Sequence, residues 1–205
     1  MFGSGRVLHL AGVSAIIGGS LWLVALERHT AILGLVLCGA AAIAMALGSW
    51  EPRRSAGLGV GLVLCGTLTW LLAWLCRDSL LLLATSVVRT ESGQAITVLR
   101  HTLGELAGRD LFILPFVVVG VGLLSTPQTR RSRWSVGALR RMIGGLHLAL
   151  GVALAWEYYL DAITPPSLYA ALKLALGLGW VALGYLLVTH PYRAPVAAQQ
   201  AASRP

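Results

Sequence analysis

Four ionisable side chains lie in or beside apolar runs between residues 140 and 190 and are well suited to chemistry: His147, Glu157, Asp161 and Lys173. The two apolar runs of this stretch, joined by a Pro-Pro turn, have the length of membrane-spanning helices. Charged groups at membrane depth are costly unless they pair, so they commonly mark a functional site. We therefore expect function to lie near this helical hairpin.

Imidazole and carboxylate groups predicted near the outer side of the membrane are candidate copper ligands. Their nitrogen and oxygen atoms suit the divalent ion, whereas a thiolate such as that of Cys76 would favour the reduced ion. No local metal-binding motif is present, so a site has to be assembled between helices. The predicted ligands are His29, His101, Glu157 and Asp161. The alternative is that each imidazole is a structural or interfacial group.

A b-type haem is the alternative cofactor. Bis-histidine ligation requires two imidazoles at equal depth on different helices. His9 and His147, both predicted near the cytoplasmic ends of their helices, meet this requirement, and so do His29 and His101 on the outer side. The chain would then be the membrane subunit of an electron-transfer complex, although a haem bound at helix ends would be poorly buried.

Lys173 is the only lysine of the chain and lies six or seven residues into the last apolar run. That position is ~10 Å below the outer surface by helical rise. A lysine there costs a few kcal/mol unless it snorkels or pairs. Glu157 or Asp161, across the turn, is the expected partner. An ion pair that holds two helices together and a direct role in substrate passage both remain open.

Sequence motifs for catalysis or nucleotide binding are missing. Serine, histidine and aspartate occur without a nucleophile-elbow pattern, and the glycine-rich fragments lie in apolar runs without the polar context of a phosphate-binding loop. The three cysteines, Cys38, Cys65 and Cys76, have no metal-ligand spacing and are interpreted as packing residues. The sequence therefore favours a protein that is not an enzyme.

The composition indicates a protein that lies within a lipid bilayer. Of the 205 residues, 57% are hydrophobic and only 12% are charged, with a mean hydropathy of +0.76. A soluble domain of this size is far less apolar. The formal charge of +8 does not indicate nucleic-acid binding, because the basic residues punctuate apolar runs instead of clustering on one exposed face.

The apolar runs predict an all-α fold, a polytopic membrane helical bundle formed by residues 1–190 as one domain. Its six transmembrane helices are predicted at about residues 7–26, 31–50, 57–76, 110–124, 142–160 and 167–188. Between the third and the fourth, residues 79–107 are predicted to form an outer amphipathic helical hairpin. Residues 191–205 are predicted to be a disordered cytoplasmic tail. No cleavage pattern follows the first run, so we expect it to remain as a helix.

Small residues recur every four positions in the second apolar run: Gly34, Cys38, Ala42 and Ala46. Such a stripe lets another helix approach closely in lipid. It predicts tight packing, either within the chain or against a second copy or another membrane protein. A structural or accessory subunit of a membrane complex is therefore a further alternative function.

The arginines predict the orientation of the bundle. With six spans, ten arginines fall on one side of the membrane: Arg6, Arg53, Arg54, Arg130, Arg131, Arg133, Arg140, Arg141, Arg193 and Arg204. Five fall on the other side: Arg28, Arg77, Arg89, Arg100 and Arg109. The richer side is expected to be cytoplasmic, so both termini are predicted inside.

Several features follow one another between residues 131 and 193: the basic residues Arg131 to Arg133, then Gly151, Tyr169, the Leu172-Lys173-Leu174 core and Arg193. This arrangement resembles the C-terminal part of the copper-resistance D family of bacterial membrane proteins. The first apolar run, with His9 and Gly18-Gly19, is similar to that family's first helix. The resemblance implies a multi-pass protein of the bacterial inner membrane that handles copper, in transport or resistance, and carries over His9 and Lys173 as matching positions.

Overall fold

The computed structural model describes residues 4–25, 28–48, 57–73, 75, 111–126, 134–160 and 165–189. Within these residues every regular element is an α-helix. The six helices are α1 (Ser4–Val24), α2 (Arg28–Gly48), α3 (Gly57–Ala73), α4 (Leu111–Ser125), α5 (Trp134–Leu160) and α6 (Pro166–Thr189). Each lies on one of the predicted apolar runs, so the all-α prediction is confirmed for the described part of the chain.

Four of these helices are long and apolar enough to cross a membrane. Their candidate spans are Arg6–Val24 in α1, Thr30–Leu47 in α2, Val136–Leu160 in α5 and Pro166–Thr189 in α6. α3 and α4 are apolar but shorter. The chain is thus a helical membrane protein with four candidate spans, and the prediction of six spans is met only in part. The predicted hairpin at 79–107 and the tail at 191–205 lie outside the described residues.

α1 packs between α2 and α6 through close approach of glycines. A methyl group added to Gly18 would lie 2.6 Å from the carbonyl oxygen of Gly34, and one added to Gly19 would lie 2.8 Å from that of Gly177. Helices in lipid gain stability from such backbone proximity, because apolar burial drives no association there. Of the predicted stripe on α2, Gly34, Cys38 and Ala42 are buried, which confirms its role in packing.

α1 and α6 run antiparallel. Gly12 of α1 faces Gly184 of α6, and seven residues later Gly19 faces Gly177. The first turns of α1 and the last turns of α6 therefore lie at the same end of the bundle.

α5 begins at Trp134, earlier than the predicted start at 142, so that part of the prediction was wrong. Two arginines had indicated a loop, but Arg140 points its guanidinium to the end of α4, where it donates a hydrogen bond of 2.6 Å to the carbonyl oxygen of Thr126. One end of the charged group is thus paired with a backbone carbonyl, and the helix continues through Arg140. His147 consequently lies at the midpoint of α5, whereas it was predicted near the cytoplasmic end.

Large aromatic residues fill the centre of the bundle. Each of four helices contributes one fully buried ring: Trp22 from α1, Trp70 from α3, Phe116 from α4 and Trp180 from α6. The fifth helix, α5, contributes His147 to the same place. Rings of three other helices therefore contact this imidazole: Trp70 of α3, Phe116 of α4 and Trp180 of α6.

Candidate functional site

His147 is fully buried, with a relative exposure of 0%. A buried stripe of α5 places it there, because Ile143, His147, Leu150 and Leu154 recur at helical spacing and all face the interior. The predicted shared face of His147, Gly151 and Leu154 is therefore confirmed, and all three are buried. Tyr158, on the same predicted face, is exposed near the end of the helix.

The two ring nitrogens of His147 have different surroundings. Nε2 accepts a hydrogen bond of 3.1 Å from the indole N–H of Trp180. Nδ1 is buried and has no hydrogen-bond partner among the residues that the structure describes. A neutral imidazole carries one lone pair and one N–H group. Because Nε2 is the acceptor here, the hydrogen-bond pattern assigns the proton to Nδ1.

The Nδ1–H group of His147, for which the described residues offer no acceptor, is an unfavourable feature of the fold. A buried donor that lacks a partner costs about 1–3 kcal/mol. Nearly all buried polar groups in folded proteins are paired, so an exception calls for an explanation. The imidazole is therefore a candidate functional group.

Aromatic rings surround His147. The ring centroids of Phe116, Trp70 and Trp180 lie 5.6, 5.8 and 6.0 Å from that of the imidazole. Trp70 is held in place because its indole N–H donates to the carbonyl oxygen of Phe112 at 3.1 Å. Phe116 contacts both Trp70 and Trp22, with centroid distances of 5.0 and 5.8 Å. We call His147, Trp70, Phe116 and Trp180 the aromatic site.

Lys173 binds a backbone carbonyl group within the described residues, whereas Asp161, one of its two predicted partners, lies outside them. The Nζ atom of Lys173 donates a hydrogen bond of 3.0 Å to the carbonyl oxygen of Ala25, just beyond the end of α1. The carbonyl oxygen of Lys173 in turn accepts a bond of 3.0 Å from the indole N–H of Trp22, and Nζ lies 5.7 Å from that ring. Glu157 is exposed on α5. Cations are favourable at a helix C-terminus, so Lys173 joins α6 to the end of α1.

The structure does not bring His9 and His147 to the same depth. His9 is exposed on α1 and, by the antiparallel pairing of Gly12 with Gly184, lies level with Leu187 on α6. His147 contacts Trp180, which is ~10 Å deeper by helical rise. The two imidazoles therefore do not form the pair at equal depth that bis-histidine haem ligation requires.

The predicted copper ligands lie mostly outside the described part of the chain. Only Glu157 is described with its side chain, and it is exposed. The side chain of His29 and the whole of His101 and Asp161 lie outside that part. Within the described ranges, no group of three or more histidine, cysteine, aspartate or glutamate side chains could hold a metal ion. The predicted outer site therefore remains a prediction.

Three aromatic residues of the site were missed at the level of sequence: Trp70, Phe116 and Trp180. Tryptophan in membrane proteins is enriched at the interfaces with water. Trp70 and Trp180 instead lie well inside apolar runs, where each indole N–H needs an acceptor. Tryptophans at such positions indicate a polar contact deep in the bundle, and they could have revealed the site from the sequence.

Comparison with protein-family models, curated proteins and solved structures finds no match to this chain. The fold and the site alone define the class of this protein: a helical membrane protein with a buried histidine among aromatic rings. The likeness to the copper-resistance D family stays a resemblance of sequence features.

Proposed function

We propose that this chain is a non-enzymatic, multi-pass membrane protein that handles copper ions, in transport or in copper tolerance. The observation that carries the proposal is the buried imidazole of His147 at the midpoint of a candidate span. Imidazole is a good copper ligand, and polar side chains at membrane depth are rare unless they line the path of a substrate or a proton. The sequence resemblance to the copper-resistance D family supports the same reading.

The protonation pattern of His147 suits a metal ligand. Metal ions bind the nitrogen that carries the lone pair, and the opposite nitrogen then carries the hydrogen. In His147 the lone pair is on Nε2, where it accepts the hydrogen bond from Trp180. A copper ion can take the place of that donor without any change of tautomer.

We place the protein in the bacterial inner membrane with both termini in the cytoplasm. The excess of arginine on the predicted cytoplasmic side supports this orientation. The antiparallel contact between α1 and α6 supports it as well, because it puts Arg6 of α1 and the end of α6 at one end of the bundle.

The packing of the helices disfavours the haem alternative. At Gly18, Gly19 and Gly120, an added methyl group would lie within 3 Å of the backbone of the neighbouring helix. A porphyrin has no space between these helix pairs. The separation in depth of His9 and His147 is a second argument against a haem held by that pair.

An accessory subunit is the second candidate function, and one feature of α5 favours it. Gly145 and Ala149 are exposed and lie one turn apart on the outward face of the helix. Small residues on such a face allow another transmembrane helix to pack closely. A protein of this kind would be purified with a partner and would not change the handling of copper.

The test is purification of the full chain in detergent, followed by metal analysis and a visible spectrum, together with the copper content of cells with and without the protein. We expect substoichiometric to one-to-one copper and a change in cellular copper. A well-folded preparation without copper, from cells whose copper content is unchanged, would refute the proposal. A Soret band would favour the haem alternative instead.

A further inference from the structure

We propose that Arg141 of α5 binds the phosphate group of an anionic phospholipid, whose acyl chain lies against Gly145 and Ala149 on the same face of the helix. The inference is independent of copper handling, because it concerns a different part of α5. Three features support the site: its charge, its depth in the bilayer and the open apolar face beside it.

Positive charge collects at the end of the bundle where α5 begins. Ile143, near the start of α5, faces Gly179 in the second half of α6, so α5 begins where α6 ends. The first turns of α1 lie at this end as well, and Arg140 and Arg141 therefore share it with Arg6. The stretch of sequence between α4 and α5 carries three more arginines: Arg130, Arg131 and Arg133.

No carboxylate of the described residues lies near Arg141. Glu157 is the one acidic side chain among them, and it is ~24 Å away along the axis of α5. From residue 111 to residue 156 the sequence has no aspartate or glutamate. A cluster of one sign of charge attracts the opposite sign, and the planar guanidinium group suits phosphate, which it binds through two parallel hydrogen bonds. An anionic headgroup is therefore the complement of this end of α5.

Arg140 and Arg141 have different surroundings. The Nη2 atom of Arg140 donates a hydrogen bond of 2.6 Å to the carbonyl oxygen of Thr126, which fixes a cation at the C-terminus of α4, where it is favourable. Arg141, one residue further along, is exposed. Arg140 thus adds a fixed positive charge next to the site, and Arg141 makes the direct contact with the phosphate.

The length of α5 places Arg141 at the level of the lipid headgroups. From Arg141 to Leu160, the last residue of the helix, the axis is ~29 Å long, which is close to the thickness of the hydrocarbon core, about 30 Å. Trp156 and Tyr159 are exposed at the far end, as is typical of aromatic residues at the interface with water. With that end at one interface, Arg141 lies at the other.

The face of α5 that continues from Arg141 into the membrane is apolar and open. Gly145 and Ala149 follow Arg141 at intervals of one helical turn, and both are exposed. No atom of the described residues lies within 4 Å of a methyl group added to Gly145. Met142 and Val152, beside them, are exposed as well. An acyl chain can lie along this strip while its phosphate contacts Arg141, whereas a free phosphate ion would leave the strip unused.

The test measures the preference of the protein for an anionic headgroup. The full chain is reconstituted into vesicles of phosphatidylcholine, and electron spin resonance gives the association constant of spin-labelled phosphatidylglycerol relative to spin-labelled phosphatidylcholine. The variants are Arg141→Met, Gly145→Leu and Arg6→Met. The last is the matched control, because it removes an exposed arginine from the same end of the bundle but from another helix.

We expect the wild-type protein to bind phosphatidylglycerol more tightly than phosphatidylcholine. Arg141→Met should weaken this preference roughly fivefold, the effect of one basic side chain at a lipid surface, and Arg6→Met should weaken it less than about twofold, because Arg6 lies on another helix. Gly145→Leu keeps every arginine but occupies the strip, so it should weaken the preference as well. These two variants of α5 change different parts of the site, so each tests the proposal if the other does not fold.

Three results would overturn the proposal. Equal losses in Arg141→Met and Arg6→Met would show only a general attraction of the basic end to an anionic surface. Displacement of the spin-labelled lipid by inorganic phosphate, but not by chloride at the same ionic strength, would assign Arg141 to a free phosphate ion. A Gly145→Leu protein that keeps its lipid preference but loses a copurified membrane protein would assign the strip to a partner helix.

Discussion

The indole N–H of Trp180 and Nε2 of His147 form a hydrogen bond of 3.1 Å between α6 and α5 in the apolar centre of the bundle. The bond satisfies both partners, since indole is only a donor and the imidazole offers one lone pair. It also fixes the tautomer of His147, whose Nδ1–H group has no hydrogen-bond partner in the part of the chain that the structure describes. Any ligand of Nε2 has to break this bond first.

The first prediction concerns the coupling of these two residues. Trp180→Phe and His147→Leu should each lower the free energy of unfolding, but the double variant should lose less than the sum. We expect a coupling energy of about 0.5–1.5 kcal/mol, the net contribution of one hydrogen bond. Unfolding of the four proteins in mixed micelles measures it. Strict additivity would show that the bond does not contribute to stability.

The second prediction concerns the contact between Lys173 and the end of α1. Lys173→Met should lower the free energy of unfolding by about 1–3 kcal/mol, because the carbonyl oxygen of Ala25 loses a charged donor. The copper bound per folded chain should not change. Lys173→Arg, which keeps a long cationic side chain, serves as the control. A stable Lys173→Met protein without copper would instead assign Lys173 a role in substrate passage.

The third prediction concerns helix packing at glycines. Gly18→Ala should destabilise the protein by about 1–3 kcal/mol, since the new methyl group would lie 2.6 Å from the carbonyl oxygen of Gly34. Gly145→Ala is the matched control on a spanning helix, because no atom of the described residues lies within 4 Å of the added methyl group. Thermal unfolding compares the two variants. Equal melting temperatures would contradict the packing of α1 on α2.

The fourth prediction concerns the arginine pair in α5. Arg140→Met should lower the free energy of unfolding by about 1–3 kcal/mol, because the carbonyl oxygen of Thr126 loses a charged hydrogen bond. Arg141→Met should change it by less than about 0.5 kcal/mol, because Arg141 is exposed. Chemical unfolding of both variants in the same detergent checks the difference. A larger loss for Arg141→Met would contradict the described contact.

The positions of the helices could be predicted from sequence because runs of apolar residues long enough to span a bilayer are conspicuous. The start of α5 could not. A pair of arginines, Arg140 and Arg141, is typical of a loop between apolar helices. Only the contact of Arg140 with Thr126 shows how a helix can include this pair. Because of that one boundary, His147 was predicted near the end of α5, whereas it lies at the midpoint of the helix.

The candidate site depended on information that the sequence does not contain. The bonds of Lys173 to Ala25 and of Trp180 to His147 join residues 148 and 33 positions apart. Both require each helix to be rotated by a particular angle about its axis. In an apolar helix nearly every face is hydrophobic, so the pattern that reveals the buried face of a soluble helix is weak. The polar residues could therefore be identified from the sequence, but their contact partners on other helices could not.

The contact of Lys173 with Ala25 has a consequence for biosynthesis. The ribosome adds about 5–20 residues per second, so the 148 positions between the two partners correspond to roughly 7–30 s of translation. During this interval α1 has been synthesised but α6 has not. The carbonyl oxygen of Ala25 therefore lacks its hydrogen bond from Lys173. The contact between α1 and α6 can therefore form only after α6 has left the ribosome, which makes it a late step of assembly.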